Sequence, residues 1–285
     1  MSIIQRGRGE RIELYDQLKK AKSVKWAVLD SGGMNIPKSD VLYLQGQGET
    51  IRIPFWCSYV ETPDARLIID AGADIADITD ALTNPAAPCA VRPEDFMQTP
   101  EQTVARQLAK LDVRPEEIDF VIYSHLHFDH TGAAKLFTNA KHICQLTELR
   151  YAVKPDRFMA PGYIQSEFMP LLDKFSPIEG DAMIVPGVYC FESPGHTPGL
   201  QVIVVVPEQG QPWLLAQDGC ALVENYENEW PPGEVYDPAE FVISIRRQKE
   251  IVAKLKAKHY PGHDLNVFNM MRKAPEWQYN DYRKA

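Results

Sequence analysis

Three imidazoles and a carboxylate fall within six residues, His125-Leu126-His127-Phe128-Asp129-His130, directly after an apolar run, Ile118-Asp119-Phe120-Val121-Ile122-Tyr123. The whole chain has seven His, so three of them are concentrated in this one turn. A strand that ends in a turn dense with nitrogen and oxygen donors is a natural place to hold a first-row metal. Successive residues of an extended segment point to opposite faces, but a tight turn brings them together. Four donors this close can therefore serve two ions. The competing reading is a His-rich surface loop, and the buried-looking strand in front argues against it.

Further donors follow downstream. Ser193-Pro194-Gly195-His196-Thr197-Pro198-Gly199 sets a lone His between Pro-Gly turns, after one apolar strand and before another, Val202 to Val206. Gln217-Asp218-Gly219 ends the run Trp213-Leu214-Leu215-Ala216, and Tyr260-Pro261-Gly262-His263-Asp264 ends a short strand after a long helix. All these donors stand at the carboxyl ends of predicted strands, beside Gly or Pro that let the backbone turn sharply. Loops at one edge of a rigid sheet are where sites are usually built.

A chain of 285 residues that is 45% hydrophobic can bury a large core. Its longest apolar runs are far too short to span a bilayer. Met1 to Lys22 lacks the apolar centre of a signal peptide. Ile12, Leu14, Tyr15 and Leu18 among charges predict an amphipathic helix in an N-terminal extension over 1–23, packed on the body or on a second copy as a homodimer; residues 24–285 form the single main domain. The five Cys are scattered without CxxC pairs, which suggests reduced thiols and a cytoplasmic setting. A net charge of −9 argues against nucleic acid as a partner, because phosphate neutralisation needs clustered Lys and Arg. No membrane partner is expected either.

Periodicity predicts strands at 24–30, 41–45, 51–60, 66–70, 118–123, 141–145, 183–192, 200–206, 212–217 and 257–260. Helices are predicted near 100–111, 132–137, 145–152, 164–173 and 237–256. Thr99-Pro100-Glu101 fits a capped helix start. Strands alternating with helices permit an α/β or α+β fold.

The pattern His-x-His-x-Asp-His, then Gly-His-Thr-Pro-Gly, a strand-end Asp and Gly-His resembles the metallo-β-lactamase superfamily. Ile53-Pro54-Phe55-Trp56-Cys57, Leu67-Ile68-Ile69-Asp70-Ala71-Gly72, Ile178-Glu179-Gly180-Asp181 and Phe191-Glu192-Ser193-Pro194 resemble the N-acyl homoserine lactone lactonases within it. The resemblance covers roughly residues 40–270. It implies a four-layer αβ/βα sandwich and a hydrolase with two divalent ions, zinc above all. One ion would be held by His125, His127 and His196, the second by Asp129, His130 and His263, with Asp218 bridging both. A hydroxide between the ions would attack the carbonyl of a small-molecule lactone. Asp129 is also the candidate proton shuttle to the leaving group.

Asp70 and Asp264 are expected to orient metal ligands from behind. His142 and His259 read as hydrogen-bonded structural histidines. Phe128 is a candidate substrate contact. In the lactonases a Tyr three positions after the bridging Asp contacts the substrate; here that position is Ala221, which leaves Tyr226 and Tyr163 as the nearest replacement donors. Phe158-Met159, Phe168-Met169, Tyr226 and Trp230 are expected to supply an apolar pocket. A pyridoxolactone-type lactone, or a thioester as in glyoxalase II, fits the same machinery.

Overall fold

The computed structural model describes residues 4–6, 24–83, 93–207 and 211–278. Strands β1 (Ile4–Arg6), β8 (Asp181–Val185), β9 (Val188–Glu192), β10 (Gln201–Val205), β11 (Trp213–Gln217) and β12 (Lys258–Pro261) form one six-stranded sheet in the order β1-β8-β9-β10-β11-β12. Strands β2 (Lys25–Pro37), β3 (Thr50–Glu61), β4 (Arg66–Ile69), β5 (Phe96–Met97), β6 (Phe120–Ile122) and β7 (Lys141–Ile143) form the second, in the order β5-β2-β3-β4-β6-β7. Pairing is parallel between β4, β6 and β7 and between β11 and β12. The other pairs are antiparallel.

Strands β6, β10 and β11 are buried along their whole length because both faces of each sheet are covered. In β10, Ile203 and Val205 face a core shared with the other sheet, beside Trp26, Trp56 and Leu67. Val202 and Val204 point the other way, against Phe241 and Ile245 of the helix Pro238–Leu255. On the second sheet, Cys57, Tyr59 and Ile68 pack outward against Leu108, Phe137 and Phe168. The period-2 alternation thus builds helix, sheet, sheet, helix, the four-layer sandwich that the resemblance implies.

Several local expectations differ. Residues 41–45 are no strand: a helix Lys38–Val41 leads into a turn in which Leu44 takes φ 56°. The stretch 183–192 is a hairpin of β8 and β9, because Pro186-Gly187 interrupts it and Gly187 takes φ 98°. The helix expected at 132–137 is a single 3₁₀ turn, Ala134–Leu136. Ile4–Arg6 pairs with β8 at the sheet edge. The amphipathic helix expected at 8–20 lies outside the described residues. Among the described residues no helix is long and apolar enough to cross a membrane.

Candidate metal centre

The carboxyl ends of β4, β6, β9, β11 and β12 come to one edge of the sandwich and carry Asp70, His125 to His130, His196, Asp218 and His263. Close backbone approach holds the turns together: a Cβ on Gly262 would lie 2.6 Å from the Gln217 carbonyl carbon, so only glycine lets the His263 turn rest on the Asp218 turn. Behind them, Ala71 N donates to His130 O at 2.7 Å and Gly132 N to Gly72 O at 2.8 Å, tying the end of β4 to the His-rich turn.

Four of the five imidazoles are oriented from an outer nitrogen. His196 Nδ1 donates to the Glu234 carbonyl at 2.9 Å, and His263 Nδ1 to the Pro54 carbonyl at 2.9 Å. A carbonyl only accepts, so these rings carry their proton on Nδ1 and turn an Nε2 lone pair inward. His130 Nδ1 meets Asp70 Oδ2 at 2.9 Å, and His125 Nδ1 meets Ser124 Oγ at 3.1 Å. Asp70 also accepts from Ser124 N at 2.7 Å and Ser124 Oγ at 3.0 Å, so it fixes the base of the turn as well as the ring.

The inward atoms fall into two groups, His125/His127/His196/Asp218 and Asp129/His130/His263, each with donor atoms within 4.8 Å of one another. Asp218 faces both. Its Oδ2 lies 3.2 Å from His196 Nε2 and 3.9 Å from His125 Nε2, while its Oδ1 lies 2.7 Å from His263 Nε2 and 3.3 Å from His130 Nε2. Asp129 Oδ2 stands 3.3 Å from His130 Nε2 and 3.5 Å from His263 Nε2.

Burial holds the His125 and His127 imidazoles down, His127 to about 3, so both offer neutral lone pairs. Burial works against the charge of Asp218, but His263 and His130 carry its carboxyl well below the usual range. His125 Nε2, His130 Nε2 and Asp218 Oδ1 are buried with no hydrogen-bond partner. Buried polar atoms are normally paired. Five imidazoles and two carboxylates converge on one space with several of their buried atoms unpaired, and such a donor set is what a pair of divalent ions satisfies.

A residue that sequence reasoning missed binds the turns together. Glu148, fully buried in the helix Leu146–Val153, accepts from Leu126 N and Tyr163 Oη through Oε1, both at 3.1 Å. Its Oε2 accepts from Thr197 Oγ1 at 2.7 Å and Gly199 N at 3.1 Å. One carboxylate thus fastens the His125–His127 turn to the His196 turn. A Glu in a mixed-charge helix carries no sequence signal of this.

Other expectations are corrected. Asp264 caps the helix Leu265–Met270, accepting from Asn266 N and Val267 N at 3.0 Å, and touches no inward imidazole. The Tyr226 ring lies 4.1 Å from that of His259, packed under the helix Pro238–Leu255. Tyr163 stands beside His127, ring centroids 4.6 Å apart, but its hydroxyl is committed to Glu148. His142 and His259, by contrast, are the hydrogen-bonded structural histidines expected, bonded away from the cluster to Tyr123 and Phe137 and to Gln248.

A cavity of about 290 Å³ opens onto the donors. Its apolar wall comes from Met34, Ile36, Val41, Ile53 and Phe128, with Ala221 beside His263. Phe158, Met159, Phe168, Met169, Tyr226 and Trp230 do not line it; Met159 and Phe168 belong to the outer core of the second sheet. The long β2–β3 ribbon supplies Met34, Ile36 and Ile53 of this wall, and Asn35 and Pro37 of the same ribbon also line the cavity.

Residues 54–209 match the family model described as the metallo-beta-lactamase superfamily. An N-acyl homoserine lactonase of Bacillus thuringiensis is 32% identical over 232 residues, covering 81% of this chain and 89% of that one. The N-acyl homoserine lactonase AttM of Rhizobium johnstonii is 30% identical over 264 residues, 89% of this chain and 98% of its own. A crystal structure of an N-acyl homoserine lactone hydrolase with the product N-hexanoyl-L-homoserine at its catalytic metal centre superposes with a TM-score of 0.79 at 31% identity, covering 90% of this chain and 99% of the other. A matching family model, sequence shared over most of both chains and a superposable fold have one explanation: this chain belongs to the metallo-β-lactamase superfamily and is homologous to its N-acyl homoserine lactonases.

Proposed function

We propose that the protein is a dinuclear metal-dependent hydrolase that opens the ring of N-acyl homoserine lactones, a quorum-quenching lactonase. The observation that carries this reading is Asp218, whose two oxygens face two separate groups of donors below a cavity with an apolar wall. His125, His127 and His196 would hold one ion, Asp129, His130 and His263 the other, and Asp218 both; imidazole with carboxylate favours zinc. When bound, such a pair supplies hydroxide near neutral pH and polarises a carbonyl oxygen. Asp129, at the inner end of the cavity, is the carboxylate that would take the proton of the attacking hydroxide and pass it to the departing alkoxide. Phe128, Val41 and Ile53 hold the acyl chain out of water. We place the protein in the cytoplasm, where the buried free thiols Cys57, Cys144, Cys190 and Cys220 stay reduced, and propose a homodimer on the sequence grounds given above.

A second reading, another ring lactone of the pyridoxolactone type or a glyoxalase II-like thioester, is favoured by one observation. No Ser, Thr or Tyr lines the cavity among the described residues, and Ala221 offers only a methyl. The deciding experiment is hydrolysis of acyl homoserine lactones, pyridoxolactone and a thioester by metal-loaded enzyme, with metal content measured on the same sample and His127→Ala as control. Turnover of acyl homoserine lactones with about two metals per chain supports the first reading. Two metals without such turnover rejects the substrate while keeping the dinuclear hydrolase.

A further inference from the structure

Three carboxylates beyond the donor set line the cavity, Asp40, Asp95 and Glu234. Asp40 and Glu234 are exposed, and Asp95 is half-buried. The segments bearing the first two are tied, since Gly233 N and Glu234 N both donate to Asp40 O at 3.0 Å. No Lys or Arg lines the cavity among the described residues. Lys38, close by in sequence, is engaged by Glu224 at 3.1 Å and Glu49 at 3.8 Å. The inner end of the same cavity is lined by His127, 4% exposed, whose Nε2 is buried without a partner. The cavity therefore has chemistry at its buried end and, among the described residues, the two exposed carboxylates Asp40 and Glu234 at its open end.

This inference rests on the lactonase reading. A lactone that presents its carbonyl to the buried donors must direct the remote end of its acyl chain toward the opening. A cleft lined by one sign of charge with low-dielectric walls focuses its field along the path of entry. We propose that Asp40 and Glu234 form an acidic mouth that selects acyl lactones whose remote chain end is neutral or cationic and rejects those whose remote end is anionic.

The test uses three homoserine lactones of matched chain length, with hexanoyl, carboxylate-ended and ammonium-ended acyl groups. They are assayed on the metal-loaded wild type and on the Asp40→Asn/Glu234→Gln variant. On the wild type, kcat/KM for the carboxylate-ended lactone should fall about tenfold or more below that for the hexanoyl one, with the ammonium-ended lactone at least equal to it. The gap should narrow at high salt, a readout that needs no variant, and close to about twofold in the double variant. Equal rates for the three lactones on the wild type, or a gap unmoved by both salt and substitution, would overturn the proposal. If no lactone turns over, the lactonase reading fails separately. The filter is then read on a neutral and a carboxylate-ended acyl thioester, where equal rates overturn it too.

Discussion

Asp70 shows how much one side chain behind the cluster decides. It sits at the end of β4 at φ 58° and accepts three hydrogen bonds, two from Ser124 and one from His130. Asp70→Asn puts an amide N–H where an acceptor is needed. It is expected to weaken metal binding about 10- to 100-fold, read by chelator competition and metal stoichiometry; unchanged affinity would show that Asp70 does not orient His130. Asn35 is the one amide or hydroxyl side chain lining the cavity among the described residues. With Tyr163 and Tyr226 engaged elsewhere, it is the neutral donor left for a substrate oxygen. Asn35→Leu should raise KM for acyl homoserine lactones about tenfold, the worth of one hydrogen bond; an unaltered KM would exclude that contact.

At the scale of elements, the site depends on how turns are fastened to helices. Glu148 joins a helix to two donor-bearing turns through four accepted hydrogen bonds. Glu148→Ala strands those buried donors and should cost about 3 kcal/mol in denaturant unfolding, with metal content falling as the turns separate. Asp264 marks the opposite case. As a helix cap, its replacement by Ala should lower stability by about 1 kcal/mol with metal affinity unchanged. Loss of metal in Asp264→Ala would return it to the role that sequence reasoning assigned. The long, strongly patterned elements, β3, β10, β11 and the helix Pro238–Leu255, were legible because their apolar alternation or capping is local. The short ones at 41–45 and 132–137 were not, since a few residues of apolar sequence suit a strand, a turn or a helix until packing decides.

For the molecule as a whole, two histidines outside the cluster set an acid limit. Burial lowers His142 to about 4 and His259 to about 3. Tyr123 donates to His142 Nδ1 at 2.8 Å while Nε2 donates to Phe137 O, an arrangement that only the neutral ring allows. The unfolded chain takes up these protons near pH 6.5, before the folded one does. The stability they contribute is therefore complete above that pH and drains away as pH falls toward 4, by up to about 1.4 kcal/mol per pH unit for each ring. Denaturant unfolding at several pH values should show His142→Gln with a shallower acid slope than the wild type; an identical slope would mean that the ring is already charged when folded. The sequence by itself determined the donor types, their strand-end positions and the four-layer plan, because these follow from local alternation, turn residues and a motif dense enough to resemble one superfamily. Only the tertiary structure decided that Asp218 faces both groups, that Glu148 locks the turns, that Asp264 is a cap and that the cavity wall comes from β2 and β3. Those facts depend on which side chains meet across distances of tens to hundreds of residues, and contact between remote residues is written in packing rather than in spacing.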